Sequence, residues 1–422
     1  MFLRWEAISL FVLLLHAVPS RKCYAQDLPQ SSYQTFTQKE ESFNLPAPRL
    51  SGEARLRYQS LSRDDFLDSA EALTLRFKGR VEFDLFEKTT ALVELDGNVA
   101  LINNFNDGSN GRLDLPFIPD PNGFDLNRLQ ITTEVVPQTR VTLGRQRIEL
   151  DDWRFIGVFP FRQNDQTIDA VRAETKILGK GILDLGYFNK VHRPLGSDNL
   201  RGVFEGNSFF ANYNIGTPFG RFSAFHYALG LESGPEGVFR QDESTQTTGI
   251  RLLGRRDGDK LSLSWEGSYA RQADRLGNPE DYNSDYVLAE LTLKPRNLIF
   301  KGRAEVLGSD NGASLQTPLA SLHQFQGFAD QFLTTPPDGL RDYSLFVGYD
   351  VGKIGPFERV RAFSRYHWFE SDVNKRAYGE ELNLSLSGRL NNMRLSLQYA
   401  NYQTLGFSAD NQALFLSTDF SF

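Results

Sequence analysis

The thirty residues from Leu143 to Arg172 hold five arginines (Arg145, Arg147, Arg154, Arg162, Arg172) and five acids (Glu149, Asp151, Asp152, Asp165, Asp169). Fixed guanidinium groups attract carboxylates and other oxyanions through their field and through bidentate hydrogen bonds. Interleaved acids keep such attraction weak enough for release. A dry core does not tolerate this charge density, so these side chains must meet water, and a water-filled lumen is the reading that suits them. The same composition recurs on alternate positions elsewhere, at Arg76, Lys78 and Arg80, Arg128, Arg303, and Arg361 and Arg365.

Other chemistries find little support. Nucleophilic hydrolysis needs a base beside a serine. Beyond the N-terminal leader the histidines are His192, His226, His323 and His367, and no Gly-x-Ser-x-Gly or His-Glu-x-x-His occurs. No enzymatic role and no cofactor are expected. Asp107, Ser109 and Asp114 offer oxygen ligands of the kind calcium takes, but a solvated, turn-rich loop accounts for them better.

The elements that position the charges read as strands. Leu73, Leu75, Phe77, Gly79, Val81, Phe83 and Leu85 share one face, while Thr74, Arg76, Lys78, Arg80, Glu82 and Asp84 share the other. Period 2 over more than a dozen residues is a strand longer than globular proteins favour, and it suits a tilted membrane strand. Eighteen such segments are counted, starting near Leu50, Glu71, Ala91, Asn127, Thr139, Thr167, Ile182, Ser208, Gly220, Thr245, Lys260, Ser284, Leu298, Asp342, Pro356, Ala377, Met393 and Gln412. Short connections such as Glu87-Lys88 and Asn391-Asn392 alternate strictly with long ones, among them 103–123, 149–166 and 308–340. That alternation predicts an all-β fold: a transmembrane, antiparallel, up-and-down β-barrel of about 18 strands, with 16 as the alternative count. An 18-stranded lumen is too wide for side chains alone to fill.

Residues 1–25 read as a signal peptide. Ile8 to Val18 form an apolar run too short to span a bilayer, and Cys23-Tyr24-Ala25 suits cleavage before Gln26. Residues 26–49 read as an extended periplasmic lead-in and 50–422 as the barrel. Cleavage removes Arg4, Arg21, Lys22 and Glu6, moving the formal charge from −7 to −9, which excludes a nucleic-acid partner by charge. It also removes the single cysteine, so disulfides and thiolate chemistry are excluded. Leu414, Leu416, Thr418, Phe420 and Phe422 share a face of the last strand, and Phe422 ends the chain. A terminal aromatic there is the form of signal read by barrel-insertion machinery. The expected surroundings are the lipid and lipopolysaccharide of a Gram-negative outer membrane.

The opening stretch, with Gly144-Arg145-Gln146, Asp152-Trp153-Arg154-Phe155, Phe161-Arg162-Gln163 and Thr167-Ile168-Asp169-Ala170-Val171-Arg172, resembles the alginate export family of outer-membrane porins. The resemblance is sharp there and extends to His323-Gln324-Phe325-Gln326-Gly327 through Asp342. It implies an 18-stranded barrel carrying an anionic polysaccharide through an arginine-rich constriction. It also implies that Arg145, Arg154, Arg162, Asp169 and Arg172 line the pore. This chain departs from the family in its shorter length and simpler loops, which favours small solutes over polymer.

The expectation is therefore an anion-selective porin for anionic or sugar-like solutes. The rival is a closed structural or adhesive barrel whose outer loops bind ligands. Parity adds one question. Leu143, Arg145 and Arg147 share a face, and arginines cannot follow leucine into lipid. Either Gly144 hosts a bulge, or the apolar span ends at Leu143 and both arginines lie at the rim. The middle part, Asp151 to Asp165, is expected to fold inward and place Arg154 and Arg162 across the pore from Arg172.

Overall fold

A computed structural model describes residues 47–177, 179–234 and 241–422. The expected signal peptide and most of the expected 26–49 lead-in lie outside the described residues. Eighteen long strands form one antiparallel sheet: β1 (Arg49–Arg63), β2 (Ala70–Phe86), β3 (Thr89–Asn104), β4 (Gly123–Thr133), β5 (Thr139–Gln146), β6 (Thr167–Ile177), β7 (Gly181–His192), β8 (Val203–Thr217), β9 (Gly220–Leu229), β10 (Thr245–Asp257), β11 (Leu261–Asp274), β12 (Asn283–Pro295), β13 (Leu298–Leu307), β14 (Leu340–Ile354), β15 (Phe357–Glu370), β16 (Ala377–Leu390), β17 (Met393–Thr404) and β18 (Asn411–Ser421). Each pairs with its sequence neighbour, and β18 returns to pair with β1 from Glu53↔Ser421 to Arg63↔Asn411, which closes the barrel. Closure leaves the barrel wall without a free edge among the described residues. The count agrees with the period-2 reading and sixteen strands start within two residues of it, while β4 and β8 begin four and five residues earlier, at Gly123 and Val203.

Alternation fixes which side chains face in. On β2, Thr74, Arg76 and Lys78 are buried, while Phe77 and Phe83 on the opposite face are exposed. The exposed set continues around the wall as Leu95, Leu129, Leu143, Val171, Leu185, Phe209, Ile250, Leu291, Leu345, Leu386 and Leu397. This is an apolar outer belt of the kind that faces lipid.

The apolar core lies inside the barrel. Two long loops turn inward, L3 (residues 147–166) and L7 (residues 308–339). Ile148, Leu150 and Ile156 of L3 and Leu315, Leu319 and Phe332 of L7 cluster with the wall residues Phe188, Phe210, Tyr286, Phe369 and Phe415. The loops are also stitched together through their backbones. Gly157 N donates to Leu319 O at 2.9 Å, and Ser321 N donates to Trp153 O at 3.0 Å. Gly157 is obligatory here, because a Cβ would come 2.4 Å from Ser321 Oγ and 2.7 Å from Trp153 Cβ.

Candidate functional site

The lumen is narrowed where L3 and L7 meet the wall, and buried ion pairs hold them there. Arg154 is 1% exposed and places Nε 2.6 Å from Glu305 Oε1 on β13 and Nη1 2.8 Å from Thr317 Oγ1 on L7. Its guanidinium lies 4.7 Å from the Phe325 ring centroid. Glu305 also accepts from Tyr286 Oη at 2.7 Å and Gln326 Nε2 at 2.7 Å, with Arg303 Nη2 at 3.2 Å. Four donors meet the buried Glu305 carboxylate, and a buried carboxylate without such partners would be far costlier.

The returning arm of L3 is clamped by β1 to β3. Arg55 Nη1 donates to the carbonyls of Pro160 at 2.9 Å and Arg162 at 3.2 Å. Arg57 pairs with Asp120, which in turn accepts from Gln163 N at 2.8 Å. Lys78 Nζ sits 2.6 Å from Asp165, and Arg147 bridges Asp165 to Glu94. Burial opposes ionisation of Asp165, but Lys78 and Arg147 outweigh it and hold the carboxyl well below the usual carboxylate range. Burial, reinforced by Asp165, raises Glu149, and Arg147 only partly compensates.

On the L7 side, Phe161 and His323 stack with ring centroids 3.4 Å apart. Asp330 accepts from His323 Nδ1 at 2.9 Å and from Arg162 Nη2 at 2.5 Å. Burial lowers His323 despite Asp330. Asp330 itself is held low by His323 and Arg162 against the effect of its burial.

Above this layer, toward the long-loop end, lies a cavity of about 380 Å³. Its walls are mainly apolar, including Phe117, Phe159, Phe161, Leu195, Leu322 and Leu333, with Arg162, Arg193 and Arg201 among them. Burial over the Phe204 ring pushes Arg193 down to about 10, with Glu243 partly restoring it. Below the layer, toward the short-turn end, the inward face carries further arginines. Arg80 Nε bonds Ser51 Oγ at 3.0 Å, Arg76 reaches Glu53 at 3.2 Å, and Arg128 holds Gln130 with Glu94 at 3.8 Å. Arg303 pairs with Glu290 at 3.3 Å, and Arg361 with Asp350 at 2.5 Å. Arg365 differs: its guanidinium lies 5.5 Å from the Phe346 ring centroid, and among the described residues its Nε has no hydrogen-bond partner.

Several expected pore-lining residues lie elsewhere. Arg145 pairs in the ladder with Asp169 on one side and Leu129 on the other, and shares the outward face with Leu143. Its Nε and Nη2 hold Asp169 at 2.8 and 3.2 Å, and His192 Nε2 reaches Asp169 at 3.0 Å. Arg145 and Asp169 therefore sit on the outer rim, because parity puts them there. No register slip occurs at Gly144, whose φ of 111° leaves the ladder intact. Arg147, two residues on, has left the strand and turns inward. Arg154 and Arg162 do fold inward with L3, but both are sealed into ion pairs beneath the surface, and neither faces Arg172. Arg172 stays on the β6 wall, gripping Asp184 at 2.9 and 2.6 Å. In the candidate calcium loop, Asp107 Oδ1 caps a turn, accepting from Ser109 N at 2.8 Å, Ser109 Oγ at 2.9 Å and Asn110 N at 2.8 Å. Among the described residues no cluster of three acids, histidines or cysteines is placed to hold a metal.

Sequence reasoning placed Glu305 on the inward face but missed Arg57, Asp120, Asp330 and Glu381. Glu381 accepts the Ala329 backbone N–H of L7 at 2.9 Å. Charged residues at inward parity were the available signal, but their partners come from a loop distant in sequence.

No protein-family model matches the chain, and no curated protein matches it. Solved structures do. OccAB2 from Acinetobacter baumannii is 16% identical with a TM-score of 0.69, over 90% of this chain and 99% of that one. The outer membrane protein OpdK from Pseudomonas aeruginosa is 13% identical with a TM-score of 0.67, over 89% and 98%. OpdK has also been solved with vanillate, at 14% identity and a TM-score of 0.65 over 88% and 98%. The chain is thus similar in fold to these barrels.

Proposed function

We propose that the chain is an outer-membrane porin that passes anionic solutes down their gradient. The observation that carries this reading is a closed 18-strand barrel whose narrowed lumen keeps arginines at inward positions on both sides of the L3–L7 layer. The apolar outer belt and the outer-membrane protein of like fold support the location. Within the lumen, acids are consumed in anchoring loops or neutralising wall arginines, while among the described residues no carboxylate forms an ion pair with Arg365. A passing anion meets cations whose attraction is tempered but not cancelled. Arg365, Arg361, Arg303, Arg80 and Arg128 are the proposed lining residues, with Arg162 exposed only where it borders the cavity.

The cavity speaks to the class of solute. A volume of about 380 Å³ with aromatic and aliphatic walls and three arginines suits a small acid with an apolar body. The vanillate complex of the like-folded OpdK concerns such an acid. The resemblance to alginate exporters adds a uronate polymer as the second candidate. Liposome swelling separates them: aromatic monoacids entering faster than uronate oligomers supports the first, and the reverse order supports the second. No entry of any solute supports the closed, adhesive barrel.

A further inference from the structure

Arg389 on β16 and Arg394 on β17 are direct Cα partners, both facing the lumen near its short-turn end. Like charges set directly opposite each other destabilise a sheet. Glu358 on β15 is the Cα partner of Arg389, yet it lies 3.9 Å from Lys353 and forms no ion pair with Arg389 among the described residues. Asp419, opposite Arg394 on β18, is taken by Arg55 Nε at 2.5 Å. Among the described residues no ion pair reaches Arg389 or Arg394.

Arg361 joins them. It lies opposite Ser387, two residues from Arg389 on β16, and all three arginines line one cavity of about 450 Å³. The single acid of that cavity is Asp350, and it is shared. Oδ1 accepts from Arg361 Nε at 2.5 Å and Oδ2 from Lys294 Nζ at 2.5 Å. The backbone is also irregular here. Register slips occur between Asp350 and Ile354 on β14 and between Glu358 and Arg361 on β15. Bulges at a barrel rim re-aim side chains.

We infer that Arg361, Arg389 and Arg394 form a binding site for a small multivalent oxyanion of the phosphate class at the short-turn end of the lumen. Three guanidinium forks around one cavity match an anion with several equivalent oxygens. A monoanion is already mimicked by the half-shared Asp350 and gains little. The site rests on the reading of a water-filled lumen, which brings the anion to it, and adds to that reading a resting point at one end.

The test is calorimetric titration of the full-length protein in detergent with inorganic phosphate, in a buffer poor in other oxyanions. Saturable binding is expected, weakened at least tenfold in R389Q and in R394Q, tightened severalfold in D350N, and absent with acetate. Phosphate that fails to saturate the wild-type protein overturns the site. So does affinity unchanged in both arginine variants while their barrels remain resistant to unfolding in detergent. D350N tests the site independently of those two, and weaker binding there also counts against it. Parallel planar-bilayer recording separates the two claims. Phosphate binding without any channel current removes the porin reading and leaves the site; anion current without phosphate binding does the opposite.

Discussion

Replacing Arg154 with alanine tests the L3–L7 lock. The side chain is fully buried and joins three elements: L3 by its backbone, β13 through Glu305 and L7 through Thr317. Removing one partner of a buried ion pair typically costs about 3–5 kcal/mol, because the other charge is stranded. Here Glu305 keeps Arg303 at 3.2 Å, Tyr286 and Gln326, so the loss falls to about 2–3 kcal/mol. At about 1.4 kcal/mol per factor of ten, the undocked state of the loops rises roughly thirty- to a hundredfold. The barrel wall is untouched, since its ladders do not depend on Arg154. The expected result in single-channel recording is a new, larger and noisier conductance level, with faster proteolysis of L3 but unchanged heat resistance of the barrel. Glu305→Gln in the R154A background should recover part of the docking, because the carboxylate is no longer stranded and Arg303 retains Glu290 at 3.3 Å. Identical conductance and proteolysis in wild type and R154A would refute the assignment of this pair as the lock.

Other outcomes follow from the same geometry. Arg365→Gln should reduce anion preference, read as a shift in reversal potential under a salt gradient, more than Arg172→Gln does. The reason is that Asp184 and Glu174 already neutralise Arg172. Gly157→Ala should loosen the loops much as R154A does, seen as the same larger conductance level, because its Cβ would collide with Ser321 and Trp153. Acid should loosen them too. Asp165, Asp330 and His323 all titrate below their ordinary values when docked. Each therefore contributes stability that is present above its ordinary value and lost as pH falls toward the depressed one. Glu149 is raised and opposes this weakly. Conductance noise should rise first below the ordinary histidine range and further below the carboxylate range. Phe422→Ala should slow insertion of the barrel into membranes, measured by the fraction reaching the heat-modifiable form.

The wall was legible in the sequence because it obeys a local rule. Period 2 on β2 and the long–short alternation of connections need no knowledge of distant residues, and both appear as expected. Parity also raised the question that Arg145 answers, by placing it at the rim with Asp169. The inward fold of L3 was legible from its aromatics, Phe155 and Phe161, which need cover that an outer loop lacks. Their cover was not legible, because it comes from L7 and from wall rows assembled across strands: Glu305 on β13, Phe225 on β9 and Phe415 on β18. For the same reason Arg154 and Arg162 looked like lining. Their types and spacing suit either a free cation or a buried pair, and only the placement of Glu305 and Asp330 distinguishes the two.

The central claim is that water and anions pass this barrel beside the docked loops. Planar-bilayer recording of the purified full-length protein under a salt gradient measures that directly. Stepwise conductance with a reversal potential favouring anions, reduced in R365Q, is the expected result. No steps at all, or a reversal potential favouring cations, would contradict it.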